Sequence, residues 1–415
     1  MKEVVVLGAG MVGTATALAL QERGYDVKLL DRRSPGRETS YGNAGVIQGE
    51  AHEPYAMPRD IRTLARIALR KDNNVNWDAR GLWRAAPSLL SYWHHSAPTR
   101  HRKVSSEYAQ LIRRATRDHA KWMAASGSET LIRRDGYRVA FRDDESFEAQ
   151  LRNAVRLRGL YGATFDSEDS EALAAAEPAL RQRLAGAIRW RDAWTCSDPG
   201  ALVQAYSELF VSQGGELLER DILGLEEDSY GWRLHTAVGT IDTSQVVVAL
   251  GPWSPNLLAS LGYKIRMVPK RGYHLTYRYP AEGGPRLNLP LLDASLGAIY
   301  APMRAGLRVA TAADLASFRA GVMPRQMQRA ELAARELFDI GPSNETSVWM
   351  GVRPCMPDMM PVVGAAPHHR GLWFNFGHGH QGFTLGPTTG ELLAEAMDLE
   401  TAGSIPPIAA SRTFR

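Results

Sequence analysis

The chain is poor in cysteine: Cys196 and Cys355 are the only two in 415 residues. That excludes a disulfide framework and a cysteine-built metal cluster, and predicts a reducing compartment, the cytoplasm. No stretch approaches the roughly twenty uninterrupted apolar residues that a bilayer-spanning helix needs. Any membrane contact would therefore be peripheral, on the inner face of the cell membrane. Net charge is also low, at +4, with the basic residues (mostly Arg) spread along the chain rather than gathered in a block. This argues against a nucleic-acid surface, while leaving weak attraction to an anionic substrate or membrane. Internal repeats and low-complexity segments are absent. So are a Ser-His-Asp set and paired catalytic carboxylates.

What is present is globular: 44% hydrophobic and 23% charged residues. The length exceeds a single ordinary core, so two domains are expected. The most informative segment is the first. Val4 to Leu7 is an apolar run, Gly8-Ala9-Gly10-Met11-Val12-Gly13 follows at once, and Thr14 to Leu20 reads as a small-residue helix. Gly8 suits a tight turn, Gly10 lets backbone approach a pyrophosphate, and Gly13 lets helix pack on strand. The first-turn amides and helix dipole would face the phosphates. A second run, Val27 to Leu30, ends in Asp31, close to the distance expected for an acid that grips an adenosine ribose. Lys2 before an apolar run looks superficially like a secretion signal. The glycines punctuate that run, so we expect no cleavage.

Further along, residues 77–126 read as helical. Leu82, Leu89, Leu90 and Trp93 suggest one apolar face, Tyr108, Leu111, Ile112, Ala115 and Trp122 another, and Gly127 is a stop. Asp198-Pro199-Gly200 starts a helix with Asp198 as N-cap. Trp232 to His235 pairs with Gly239 to Asp242 around a turn. Val246 to Leu250 reads as a buried parallel strand. Strand-like pieces lie in 273–277, 297–302 and 307–310. Two apolar strands, 360–364 and 371–375, precede a closing helix over 386–397.

Several of these segments together resemble the FAD-dependent D-amino-acid oxidase superfamily, and within it the bacterial D-amino-acid dehydrogenases of small-subunit type. They are Gly8 to Gly13, Asp31-Arg32, Glu38 to Gly45, Val247 to Ser254, Gly351-Val352-Arg353-Pro354 with Pro357-Asp358, and Gly377 to Thr384. The resemblance covers nearly the whole length. It implies an α/β fold. A Rossmann-like FAD-binding domain, discontinuous in sequence (1–80, 191–262 and 346–415), would carry an inserted α+β substrate domain on an antiparallel or mixed sheet (81–190 and 263–345).

The implied cofactor is FAD. The implied contacts are Gly8, Gly10, Met11, Val12, Gly13, Asp31 and Arg32; the loop residues Thr39, Ser40, Asn43, Ala44, Gly45 and Val46; Ile222, Gly251 and Trp253; and Gly379, Gln381, Gly382, Phe383 and Thr384. In the last group, backbone amides and a helix N-terminus would stabilise charge on the flavin's pyrimidine end. Arg353 would hold a substrate carboxylate, since a guanidinium matches it with two prongs and stays charged in a dry pocket. An ion pair to Asp358 is the structural alternative. Tyr273 would share the carboxylate or shape the pocket, with Tyr300 and His274 as lesser candidates. His378 and His380 lack a third ligand, so no metal is expected. Cys355 reads as a small buried hydrophobe; some sarcosine-oxidising relatives tether the flavin through a cysteine in this region.

The implied reaction passes hydride from Cα of a small D-amino acid to flavin N5. The imino acid product hydrolyses to a 2-oxo acid, and electrons leave to a quinone or partner protein. Two alternatives share the motifs: an oxidase or dehydrogenase of secondary amines (glycine, sarcosine, D-proline or hydroxyproline type), and an FAD-binding subunit of a larger complex.

Overall fold

The computed structural model describes residues 2–70, 73–280, 284–316, 321–322 and 324–401. Among these, strand β1 (Lys2–Leu7) lies parallel between β2 (Tyr25–Asp31) and Val246–Val248. Glu216–Glu219 and Leu372–Phe376 extend this parallel sheet at its two sides, and Val362–Ala365 closes one edge antiparallel. Alternate side chains of β1 serve opposite faces. Val4 and Val6 pack with helix α1 (Met11–Glu22) and the closing helix Gly382–Thr401. Val5 and Leu7 pack with Leu225, Trp232 and Leu234 of a small antiparallel sheet. Both faces are covered, which is why these strands read as unbroken apolar runs.

The second large sheet is mixed and has ten strands among the described residues. Its spine is Val268–Tyr277, paired antiparallel with Trp349–Cys355 on one side and with Gly306–Ala310 on the other. The architecture is therefore α/β, with a nucleotide-type sheet assembled from separated segments beside a mixed sheet.

Local rules hold at most boundaries. Asp198 caps its helix by accepting from the Ala201 amide at 3.0 Å. Gly127 ends a helix in the left-handed conformation, at φ 65°.

Three expectations need correction. The 77–126 region is not one helical stretch. Val75–Trp77 is a strand of the mixed sheet, and the helix breaks at Ser96-Ala97 into α3 (Ala79–His95) and α4 (Pro98–Ser126). The apolar face assigned to Leu82, Leu89, Leu90 and Trp93 is not a core face: only Leu89 is buried, and the other three are exposed. The side of α3 turned inward instead carries Gly81, Ser88, Leu89 and Tyr92. Nor are the basic residues evenly spread. Residues 59–103 hold ten Arg or Lys against three Asp, a larger excess than that of the whole chain. A short helix, α2 (Ile61–Ala68), lies in this region and has no counterpart in the sequence reading.

Candidate active site

A cavity of about 840 Å³ runs from the glycine turn after β1 to the mixed sheet. At its first end, Gly8 adopts φ +107°, and a Cβ there would stand 2.6 Å from the Ala249 carbonyl oxygen. A Cβ on Gly13 would lie 1.7 Å from the Gly8 oxygen. Gly13 therefore seats the helix against the strand and does not line the cavity. Gly10, Met11 and Val12 do. Asp31 accepts from the Ala9 amide at 2.7 Å and from the Arg33 amide at 3.2 Å. Burial raises its pKa, and those two amides pull it back. Arg32 stacks 4.5 Å from the Trp253 ring centroid and pairs with Glu38 at 2.7 Å. Ile222 and Gly251 complete this end of the wall. A glycine turn, a helix N-terminus at the cavity and an acid at the tip of β2 are the set that a dinucleotide needs, so the residues fit FAD.

The loop after β2 is pinned from behind. Arg308, which the sequence reading missed, donates to the carbonyls of Tyr41 (2.9 Å) and Asn43 (2.8 Å). Asn43 accepts from the Gly45 amide at 2.7 Å. Thr39, Ser40, Asn43, Ala44 and Val46 line the cavity. Gly45 is not in the wall: at φ +75° it turns against Cys196, whose carbonyl oxygen would be 2.1 Å from a Cβ.

The closing helix begins four residues earlier than expected, at Gly382. Gly379, His380, Gly382 and Phe383 reach the cavity. Gln381 and Thr384 do not; they stand behind it. Thr384 accepts from the Gln48 amide (3.1 Å), and Gln381 donates to the Gln48 side chain (2.7 Å). Gln48 and Tyr137 both donate to Glu50, at 2.8 and 3.0 Å. Glu50 is buried, and burial pushes its pKa up to about 7. No motif signals this network, because its members are scattered over more than three hundred positions.

The far wall is built by strand pairing. In the Val268–Tyr277 and Trp349–Cys355 ladder, Lys270 stands opposite Arg353, Gly272 opposite Gly351, and His274 opposite Trp349. These positions alternate along both strands and so share one side of the sheet. The two glycines clear space. A Cβ on Gly272 would meet the Arg353 guanidinium at 2.7 Å, and one on Gly351 would meet the Trp349 ring at 2.1 Å. Trp349 stacks on His274 with centroids 4.8 Å apart, and its ring also lies where a Cβ on Gly42 would be. Lys270 and Trp349 were missed. They become legible only once Arg353 is placed and every second residue of its strand and of the facing strand is read with it.

Arg353 donates to the carbonyls of Ala312 (2.6 Å) and Thr311 (2.8 Å). It has no carboxylate partner among the described residues, and the alternative pair to Asp358 does not form. Burial lowers its pKa from the usual guanidinium range. Lys270 is its neighbour across the ladder, with the Tyr92 hydroxyl 3.4 Å away. Burial works against the Lys270 charge, but Cys355 and Tyr92 favour it, and the net shift is upward. Two cations directly opposed across strands repel. The pair therefore concentrates positive charge on this wall of the cavity.

Tyr273 lines the cavity, but its hydroxyl donates to Asp314, which also pairs with Arg271 at 2.6 Å in full burial. Its proton is thus committed within the protein, and the expectation that it shares a substrate carboxylate gives way to a role in the wall. His274, His378 and His380 are kept neutral by burial, with pKa values near 3. Cys355 is free, half-buried and in the cavity wall.

Residues 3–396 match the family model described as "FAD dependent oxidoreductase". The chain is 29% identical over 410 residues to a D-amino-acid oxidase of Bradyrhizobium diazoefficiens, covering 95% of each. It is also 29% identical to a D-amino acid dehydrogenase of Cereibacter sphaeroides, covering 95% of this chain and 91% of that protein. Among solved structures, glycine oxidase from Geobacillus kaustophilus superposes with TM-score 0.72 at 22% identity, over 99% of this chain and 98% of that one. Iminodiacetate oxidase from a Chelativorans species gives 0.71 at 20%, with the same coverage. At these identities the structures show a shared fold.

Proposed function

The chain belongs to the FAD-dependent oxidoreductase family, and from that premise we propose that it oxidatively deaminates a small D-amino acid and passes the electrons to a quinone or another acceptor other than oxygen. The observation that carries this reading is Arg353: a half-buried guanidinium in the cavity wall, held by carbonyls and with no carboxylate partner among the described residues. A substrate carboxylate would supply that charge in a two-pronged contact.

In this reading Gly8, Gly10, Met11, Val12, Asp31 and Arg32 hold the nucleotide half of FAD. Thr39 to Val46 and the start of the closing helix hold the flavin half. Bound FAD supplies the two-electron acceptor. Arg353 fixes the carboxylate, and Trp349, Tyr273 and Ile299 close the walls around the side chain. No described side chain need remove the Cα proton if the amine arrives neutral, so orientation supplies much of the rate.

Lys270 favours a second reading. A second, half-buried cation in the same wall suits a substrate with a second carboxylate, including the N-carboxymethyl amines suggested by the iminodiacetate oxidase likeness. Anaerobic bleaching of the bound flavin by D-alanine, D-aspartate, L-alanine, sarcosine and iminodiacetate tests both. Fastest bleaching by D-alanine supports the first reading, and fastest bleaching by the dicarboxylates supports the second. If no carboxylate-bearing amine bleaches the flavin, both are wrong.

A further inference from the structure

Helix α2 (Ile61–Ala68) buries none of its residues, yet it is strongly two-sided. Ile61, Leu64, Ala65 and Ala68 recur at helical spacing along one side, and Arg62 and Arg66 stand on the other. Ile61 is 84% exposed, and Leu69, just past the helix, 65%. Its flanks are tied by two arginine–tryptophan contacts, one to α3 and one to the strand Val75–Trp77 that precedes it. The Arg59 guanidinium lies 3.7 Å from the Trp93 ring centroid, and that of Arg70 lies 4.4 Å from Trp77. The Trp77 indole also donates to the Ile67 carbonyl at 3.0 Å.

Helix α3 repeats the pattern. At about 100° per residue, Leu82, Trp83, Leu90 and Trp93 share one stripe, opposite Gly81, Ser88 and Tyr92, which face inward. Trp83 is 83% exposed and Leu90 70%. Arg80 flanks this stripe in sequence and is exposed.

We propose that the exposed apolar sides of α2 and α3, with their arginine flank, dock on an anionic lipid membrane. Isolated exposed apolar residues need no explanation, but two adjacent helices that both turn their apolar stripes outward do. Amphipathic helices with Leu, Ile and Trp on one side and Arg on the other lie in the membrane interface. The occupant follows from charge. Arg59, Arg62, Arg66, Arg70, Arg80 and Arg84, all exposed on or beside the two helices, stand against Asp60 and Asp78, and such a surface is drawn to acidic headgroups. A second copy of this chain would set this cationic face against itself in a twofold dimer, which repulsion disfavours.

The face also adjoins the cavity. Tyr92, on the inner side of α3, contacts Lys270, and its hydroxyl donates to the carbonyl of Tyr55, an exposed residue of the cavity wall. A lipid-dissolved acceptor would arrive on that side. This last point rests on the proposed electron transfer to a quinone; the dock itself does not.

The test is flotation of the FAD-loaded protein with phosphatidylglycerol–phosphatidylcholine vesicles, and with pure phosphatidylcholine vesicles, at low and high salt. The expected result is partition onto the anionic vesicles that weakens with salt. The double variant Ile61→Ser/Trp83→Ser should lower partition by at least about tenfold through lost apolar insertion. Arg62→Gln/Arg80→Gln should lower it by roughly thirtyfold, at about 1 kcal/mol per arginine. Both variants should oxidise substrate normally with a soluble dye, which shows that they fold. The proposal is overturned if the wild type stays off anionic vesicles at low salt, or if both variants bind as it does. A concentration-dependent dimer dissolved by Trp83→Ser would overturn it too, giving the face to a second copy. A protein that floats with lipid but reduces no quinone keeps the dock and loses only the proposed acceptor.

Discussion

Replacing Arg353 with Met removes the cation while keeping a long apolar side chain. In the wild type the guanidinium makes two short bonds to carbonyl oxygens and faces no carboxylate among the described residues, so a bound substrate would supply its counter-charge. Deleting one member of a buried, hydrogen-bonded ion pair costs about 3–5 kcal/mol. At about 1.4 kcal/mol per factor of ten, kcat/KM should fall roughly a hundred- to several-thousand-fold. Most of the loss should appear in KM, because the carboxylate is held equally before and during reaction. The folded state should suffer less. Two carbonyls lose their donor, costing about 1–3 kcal/mol, but the repulsion between Lys270 and Arg353 disappears with the charge. Arg353→Lys should be intermediate, since a compact ammonium cannot span two carbonyls and a carboxylate together. The assay is steady-state turnover with a soluble dye, normalised to flavin absorbance. A yellow, folded Arg353→Met protein with wild-type KM and turnover would refute the clamp.

Two further perturbations separate structure from binding. Gly13→Ala drives a Cβ to 1.7 Å from the Gly8 oxygen and should yield unfolded or flavin-free protein, whereas Gly10→Ala meets only the Ser40 hydroxyl at 3.4 Å and should fold while losing FAD; thermal melts beside flavin content distinguish them. Glu50 carries its raised pKa, about 7 against an ordinary 4.5, only in the folded state. The folded protein therefore holds a proton that the unfolded chain gives up, and this group's contribution to stability falls as pH rises from about 4.5 to about 7. Glu50→Gln should remove up to about 3 kcal/mol of that decline, and urea titrations across this range would show no difference in slope between the two proteins if the reasoning is wrong.

The nucleotide half of the molecule was legible because its determinants are local. Gly8 to Gly13 and Asp31 sit within one strand–turn–helix–strand unit, where each residue's role follows from its neighbours. Arg353 was legible only through resemblance, and its partners were hidden because they are set by register: Lys270 and Trp349 face the cavity through a pairing that spans about eighty positions. Periodicity misled at α3. A stripe of Leu and Trp at helical spacing identifies an apolar side but says nothing about whether protein covers it, and here Leu82, Leu90 and Trp93 stay exposed. Gln381, Thr384, Gly13 and Gly45 belong to true motifs but act one layer behind the wall.

The ladder that sets Lys270 against Arg353 has a bearing on how faithfully the chain must fold. Sliding Trp349–Cys355 by a single position would turn its guanidinium to the other side of the sheet and bring Val352 or Pro354 inward. Such a molecule would keep its nucleotide turn, take up FAD and look yellow, yet it would have no grip on an amino acid. Turnover per bound flavin is thus a gauge of strand alignment, sensitive to a defect that colour and helix content would both overlook.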